Sequence, residues 1–180
     1  MHSTYDKSWT LFLDRDGVIN VKRENDYVKN WEEFHFIPGV LQALPKLSAI
    51  FGKIILVTNQ QGIGKGVYSE KNLELIHEKM ITNVTEAGGR IDKIYYCPAL
   101  AKENPVCRKP NTGMAYQAKV DFPQIDFHKS VMVGDSVSDM QFGEKLGMDL
   151  VFVAQNPFSL PSDLKVCITV ESLVDWVDSL

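Results

Sequence analysis

Carboxylates, a hydroxyl and a basic pair recur directly after apolar, β-branched runs. Asp14 and Asp16 follow one run in FLDRDG, Thr58 follows another in ILVTNQ, and Asp135 follows a third in VMVGDS, with Asp139 four residues on. A further stretch, CRKPNTG, places Arg108 and Lys109 immediately before Pro110. Any one of these aspartates reads as a helix cap or turn former. Gathered at one sheet edge they would repel one another unless a cation neutralised them, and hard oxygen donors suit Mg²⁺.

The elements that must bring them together are legible from pattern. Strands are expected at 9–13 (WTLFL), 53–58, 91–96, 130–133 and 149–153, with a short one at 166–170. Their apolar content with little polar alternation suits strands covered on both faces, as in a parallel sheet. The clearest helix starts at the N-cap Ser69, runs through Leu73, Ile76, Met80 and Val84, and stops at Gly88-Gly89. Further helices are expected at 39–51, where Pro45 removes one backbone bond, and at 113–120, 137–146 and 171–180. Alternating β and α predicts an α/β fold, and such sheets bind ligands beyond the carboxyl ends of their strands. The long connections at 15–37 and 97–112 are where function is expected.

Composition sets the outer bounds. The 180 residues, 44% hydrophobic and 23% charged, suit one domain over 1–180. A net charge of −4 gives no field drawing the chain to nucleic acid or anionic membrane. No apolar run reaches the roughly 18 residues of a membrane span, and MHSTYDKSWT lacks the apolar core of a signal peptide. Three cysteines without a secretion signal predict reduced thiols and a cytoplasmic setting. Gly62 to Gly66 is not a Walker A loop, because Asn59 and Gly66 stand where that motif needs Gly and Ser or Thr. The four histidines, His2, His35, His77 and His128, have no metal-like spacing and read as structural or solvated.

FLDRDGVIN, VTNQQGIGKG, CRKPNTGM and VMVGDSVSDM, in that order, resemble the four motifs of the haloacid dehalogenase (HAD) superfamily of phosphatases. FIPGV and IYYCP add a likeness to the branch containing the heptose bisphosphate and histidinol phosphatases. The resemblance implies a Rossmann-like three-layer sandwich with a mainly parallel central sheet and no large cap domain. It also implies a Mg²⁺-dependent phosphatase in which Asp14 is the nucleophile that forms an aspartyl-phosphate. Asp16 would be the general acid and then the base, and Thr58 and Lys109 would complete the catalytic set. Asn59, Gln60, Gln61, Arg108, Lys109 and Ser136 would contact substrate. Asp14, the Asp16 backbone carbonyl and Asp135 would hold Mg²⁺, with Asp139 orienting Lys109 or a Mg²⁺-bound water. Lys22, Arg23 and Tyr27 are candidates to border the substrate from the long loop.

The same resemblance brings a zinc loop, Cys-x-His and then Cys-x-Cys. Here Cys97 and Cys107 match its ends, while Ala99 and Pro105 stand at the other two ligand positions. Zinc wants four such ligands, so none is expected, nor is a Cys97–Cys107 disulfide in a reducing compartment. The substrate implied is D-glycero-D-manno-heptose 1,7-bisphosphate, cleaved at its 7-phosphate. Histidinol phosphate, a polynucleotide 3′-phosphate and a catalytically silent phospho-ligand binder are the alternatives. A small phosphorylated substrate, a monomer, and no membrane or nucleic-acid partner complete the expectation.

Overall fold

The computed structural model describes residues 5–154, 161 and 164–180, so His2 lies outside the described residues. Six strands form one sheet: β1 (Thr10–Leu13), β2 (Lys53–Asn59), β3 (Lys93–Cys97), β4 (Ser130–Gly134), β5 (Asp149–Val153) and β6 (Ile168–Val170). Their order is β3-β2-β1-β4-β5-β6, and every neighbouring pair is parallel. The chain moves outward from β1 to β3, then crosses back to β4 on the other side of β1. That reversal opens a crevice at the carboxyl ends of β1 and β4, where such sheets bind ligands.

Alternation along each strand sorts the side chains into two cores. Leu11, Leu13, Ile54, Leu56, Val131 and Val133 face α1 (Val40–Ile50), α2 (Glu70–Glu86) and α5 (Leu173–Ser179). Phe12, Ile55, Val57, Met132, Leu150 and Phe152 face α3 (Gly113–Asp121) and α4 (Val137–Leu146). Strands apolar on both faces must be covered on both, which yields the three layers. α2 begins at a Ser69–Asn72 capping box, an arrangement that stabilises a helix by about 1 kcal/mol.

Departures from expectation are confined to element ends. β3 starts at Lys93 because Asp92 pairs with Ile54 through its carboxylate (2.8 Å) as well as its amide (2.8 Å). The two long connections carry 3₁₀ turns at Trp31–Glu33 and Ala101–Glu103. Between β1, β2 and β3 the insertions hold loop-sized pieces plus α1 and α2.

Candidate active site

The end of β1 is a tight turn built on one carbonyl. The amides of Val18, Ile19 and Asn20 all converge on Arg15 O at 3.3, 2.8 and 3.1 Å, and Asp14 N donates to Val133 O of β4 at 3.0 Å. Gly17 carries a φ of +88°, and a Cβ there would lie 2.2 Å from Asp135 Oδ2. Only glycine lets the first loop close this tightly over the second. Asp14, Asp135 and Asp139 consequently each offer a carboxylate oxygen within 4.8 Å of the others.

Lys109 is the counter-charge. Its side chain is 2% exposed, and Nζ reaches Asp14 Oδ1 at 2.8 Å, Asp139 Oδ1 at 2.6 Å and Val57 O at 2.7 Å. An ammonium has three N–H bonds, so these acceptors saturate it. Burial disfavours the charged amine, but Asp139 and Asp14 more than offset that and raise its pKa to about 12. Burial raises the pKa of Asp14; Lys109 pulls it back down, and Asp139, Asp135 and Asp16 push it up again. Lys22 Nζ lies 2.6 Å from Asp135 Oδ2. Three carboxylates against two ammonium groups leave one negative charge in excess.

The cluster fits a hard divalent cation. Asp135 Oδ1 is buried with no hydrogen-bond partner among the described residues. Asp139 is less available, since Oδ1 holds Lys109 and Oδ2 accepts from Ser136 N (3.0 Å) and Oγ (2.7 Å) at the α4 N-cap. Asp139 therefore locks Lys109 to the start of α4, although it completes the carboxylate cluster where Asp16 does not.

A cavity of about 240 Å³ opens over this cluster, lined by Asp14, Asp16, Thr58, Lys109, Asp135 and Ser136. Asn59, Gln60, Arg108, Lys22, Arg23 and Tyr27 also reach it. Arg108 Nη1 is buried without a partner among the described residues. Burial disfavours the Arg108 charge and lowers its pKa. Asn59 clasps the next loop, accepting from Lys109 N (3.0 Å) and donating to Lys109 O (3.1 Å).

Two neighbouring glutamines part company at the end of β2. Gln60 turns inward and is 2% exposed, its amide donating to Asp16 Oδ2 and Thr58 Oγ1, both at 2.9 Å. Gln61 does not line the cavity and instead accepts from Ala101 N at 3.3 Å. Sequence reasoning did not single out Arg15, Asn20 or Tyr68, and it read His77 as structural or solvated. Arg15 and Asn20 each donate to Asp16 Oδ1 at 3.0 Å, Arg15 Nη1 meets His77 Nε2 at 3.2 Å, and Tyr68 donates to Gln60 Oε1. Burial alone would raise the pKa of Asp16, but Arg15, Asn20 and Gln60 together lower it.

The structure also overturns the expectation of separate thiols, because Cys97 and Cys107 are joined, with their Cα atoms 5.3 Å apart. The cause is tertiary. Cys97 pairs in register with Asn59, and Asn59 holds Lys109, which brings Cys107 beside the end of β3.

Comparison with known proteins identifies the family. Residues 5–162 match the profile of the polynucleotide kinase 3 phosphatase family. A D-glycero-beta-D-manno-heptose-1,7-bisphosphate 7-phosphatase of Helicobacter pylori (strain J99) is 36% identical over 170 residues, 93% of this chain and 95% of its own. The alpha-heptose counterpart from Mycobacterium tuberculosis is 39% identical over 138 residues, 77% of this chain and 73% of its own. Among solved structures, the D,D-heptose 1,7-bisphosphate phosphatase from B. bronchiseptica, complexed with magnesium and phosphate, superposes with a TM-score of 0.83 at 30% identity. That alignment covers 95% of this chain and 97% of the other.

Proposed function

The chain belongs to the polynucleotide kinase 3 phosphatase family, in the heptose bisphosphate phosphatase branch of the HAD superfamily, and on that footing we propose that it removes the 7-phosphate from D-glycero-D-manno-heptose 1,7-bisphosphate. It is a phosphatase, and we read it as acting as a cytoplasmic monomer of one domain over residues 1–180. The observation that carries the reading is the meeting of Asp14, Asp135 and Lys109 in a cavity that also holds Arg108 Nη1, which has no partner among the described residues. One phosphate belongs over Asp14 and Lys109, and a second phosphate or a sugar hydroxyl belongs on Arg108, whose planar fork suits both.

Asp14 attacks phosphorus in line, and the sugar oxygen leaves as the aspartyl-phosphate forms. Asp16 gives that oxygen its proton, then takes one from the water that hydrolyses the aspartyl-phosphate. Thr58 Oγ1 and the Asn59 amide bind the transferring group, and Lys109 offsets its charge. Asp14, Asp135 and the Asp16 backbone carbonyl would hold Mg²⁺, which when bound neutralises the phosphate that an anionic nucleophile must approach. Zinc has no part in this reading, because Ala99 and Pro105 cannot ligate it and only two of the four ligands it wants are left in that loop. Metal analysis of protein purified without chelator tests that; one equivalent of zinc would contradict it.

The name of the matching family profile favours one other reading, hydrolysis of 3′-phosphates on polynucleotide ends. The net charge of −4 opposes it, since binding a phosphate backbone calls for a basic surface. Both readings are separated by Mg²⁺-dependent phosphate release from both heptose bisphosphate anomers, histidinol phosphate and a 3′-phosphorylated oligonucleotide. The highest kcat/KM is expected on a heptose bisphosphate. A higher value on either of the other esters would overturn the substrate.

A further inference from the structure

We propose that Arg15, Gln60, Tyr68 and His77 form a buried clamp that positions the Asp16 carboxylate for proton transfer to the leaving oxygen, an inference that rests on the role given to Asp16 above. Tyr68 and His77 do not line the cavity; Arg15 and Gln60 do, but Arg15 Nη2 is spent on Asp16 Oδ1 and Gln60 Nε2 on Asp16 Oδ2 and Thr58 Oγ1.

Arg15 is the first sign. It is 1% exposed, among the largest fully buried side chains of the protein. A buried guanidinium costs several kcal/mol unless it is well paired, and an apolar residue would fill the same space without that cost. Its pairing is incomplete, because Nε has no partner among the described residues. The guanidinium meets Asp16 Oδ1 at 3.0 Å and His77 Nε2 at 3.2 Å, and lies over the Phe34 ring, 6.0 Å from its centroid. Packing does not account for the charge, whereas holding Asp16 does.

His77 fixes the other end of Arg15. Arginine can only donate, so Nε2 must accept, and the ring carries its proton on Nδ1. Burial, reinforced by Arg15, lowers the imidazole pKa to about 3 and keeps that lone pair open. The second arm runs through Gln60. Tyr68 donates to Oε1 of Gln60, which settles the amide orientation and leaves Nε2 for Asp16 Oδ2 and Thr58 Oγ1. Gly62 makes room for that tyrosine, since a Cβ there would lie 2.2 Å from its ring. Both arms are anchored on or next to α2, outside the cavity.

The arrangement also singles out one oxygen. A carboxylate offers about four lone-pair sites. Arg15 and Asn20 fill Oδ1, whereas among the described residues Gln60 alone meets Oδ2. Among the described residues one site remains, on Oδ2, and it is the site open to the proton that passes to the leaving oxygen as its bond to phosphorus breaks.

The test compares kcat/KM of the Mg²⁺-loaded enzyme on two esters, because kcat/KM reports the step that expels the leaving group and not the later hydrolysis. Heptose bisphosphate expels an alkoxide that needs a proton; 4-nitrophenyl phosphate expels a phenolate that does not. Asp16→Asn serves as the reference and must lose more on the alkyl ester. General acids contribute about 10²–10⁴-fold. Arg15→Met is expected to lose about 100-fold on heptose bisphosphate and less than about 10-fold on the aryl ester. Tyr68→Phe removes one hydroxyl, is expected to fold, and should lose about 5-fold to 10-fold on the alkyl ester only. His77→Leu should behave like Arg15→Met, and His77→Gln, which restores an acceptor, should recover most of the loss. Equal losses on both esters in the clamp variants, beside a selective loss in Asp16→Asn, would overturn the clamp. An unselective Asp16→Asn would overturn the acid assignment itself.

Discussion

Mild acid should weaken this fold through His77. The imidazole is 8% exposed, on the inward side of α2, with Arg15 Nη1 3.2 Å from Nε2. Burial disfavours the imidazolium most, Arg15 adds to that, and Asp16 opposes it only in part, so the pKa falls from 6.5 to about 3. Among the described residues, other polar groups beside the ring are Tyr96 of β3, with centroids 6.2 Å apart, and Glu74, Glu78 and Thr82 on its own helix. Below the unfolded value of 6.5 the unfolded chain binds a proton that the folded chain refuses. Stability is therefore fully present above that value and falls at up to about 1.4 kcal/mol per pH unit on acidification, levelling only near the folded value. From about pH 7 to about pH 5 the loss is about 2 kcal/mol, a large part of a typical stability of about 5–15 kcal/mol. Urea unfolding at intervals across that range, in wild type and in His77→Gln, isolates the effect, because glutamine keeps an acceptor for Arg15 but does not titrate. Wild type should lose about 2 kcal/mol more than the variant. Parallel curves, agreeing within about 0.5 kcal/mol, would refute the neutral His77 and with it the direction of the Arg15 hydrogen bond.

Asp14→Asn should abolish Mg²⁺-dependent phosphate release from alkyl esters while leaving the circular dichroism spectrum unchanged; wild-type rates would remove the nucleophile. Gly17→Ala should weaken Mg²⁺ binding by at least about tenfold in calorimetry, because its Cβ would lie 2.2 Å from Asp135 Oδ2 at a φ of +88°. Unchanged affinity would show that Asp135 is not held by that close approach. Asn59→Ala should cost about 1–3 kcal/mol in urea unfolding and about tenfold in kcat/KM, since both hydrogen bonds to the Lys109 backbone are lost. A variant that keeps its stability and its rate would show that Lys109 is placed by other contacts.

The strands and the residues at their ends were legible because burial on both faces leaves uninterrupted apolar runs, and polar residues just beyond them mark the crevice. Asp14, Thr58 and Asp135 could be read that way. The partners of Asp16 could not. Arg15 looks like an exposed base from its neighbours, and its burial depends on a histidine from α2. Gln60 and Gln61 are identical in sequence, and only the course of the chain beyond β2 sends one inward and the other to Ala101. The pairing of Cys97 with Cys107 follows from the β2–β3 register combined with the Asn59 clasp on Lys109, neither of which is visible in a linear pattern. The start of β3 shifted for a local reason, the Asp92 carboxylate meeting Ile54 N.

The most direct measurement is ³¹P NMR of D-glycero-D-manno-heptose 1,7-bisphosphate during turnover with the Mg²⁺-loaded protein. The 7-phosphate resonance should give way to inorganic phosphate while the 1-phosphate resonance persists. Loss of the 1-phosphate first, or no turnover at all with Asp14 intact and Mg²⁺ present, would contradict the account.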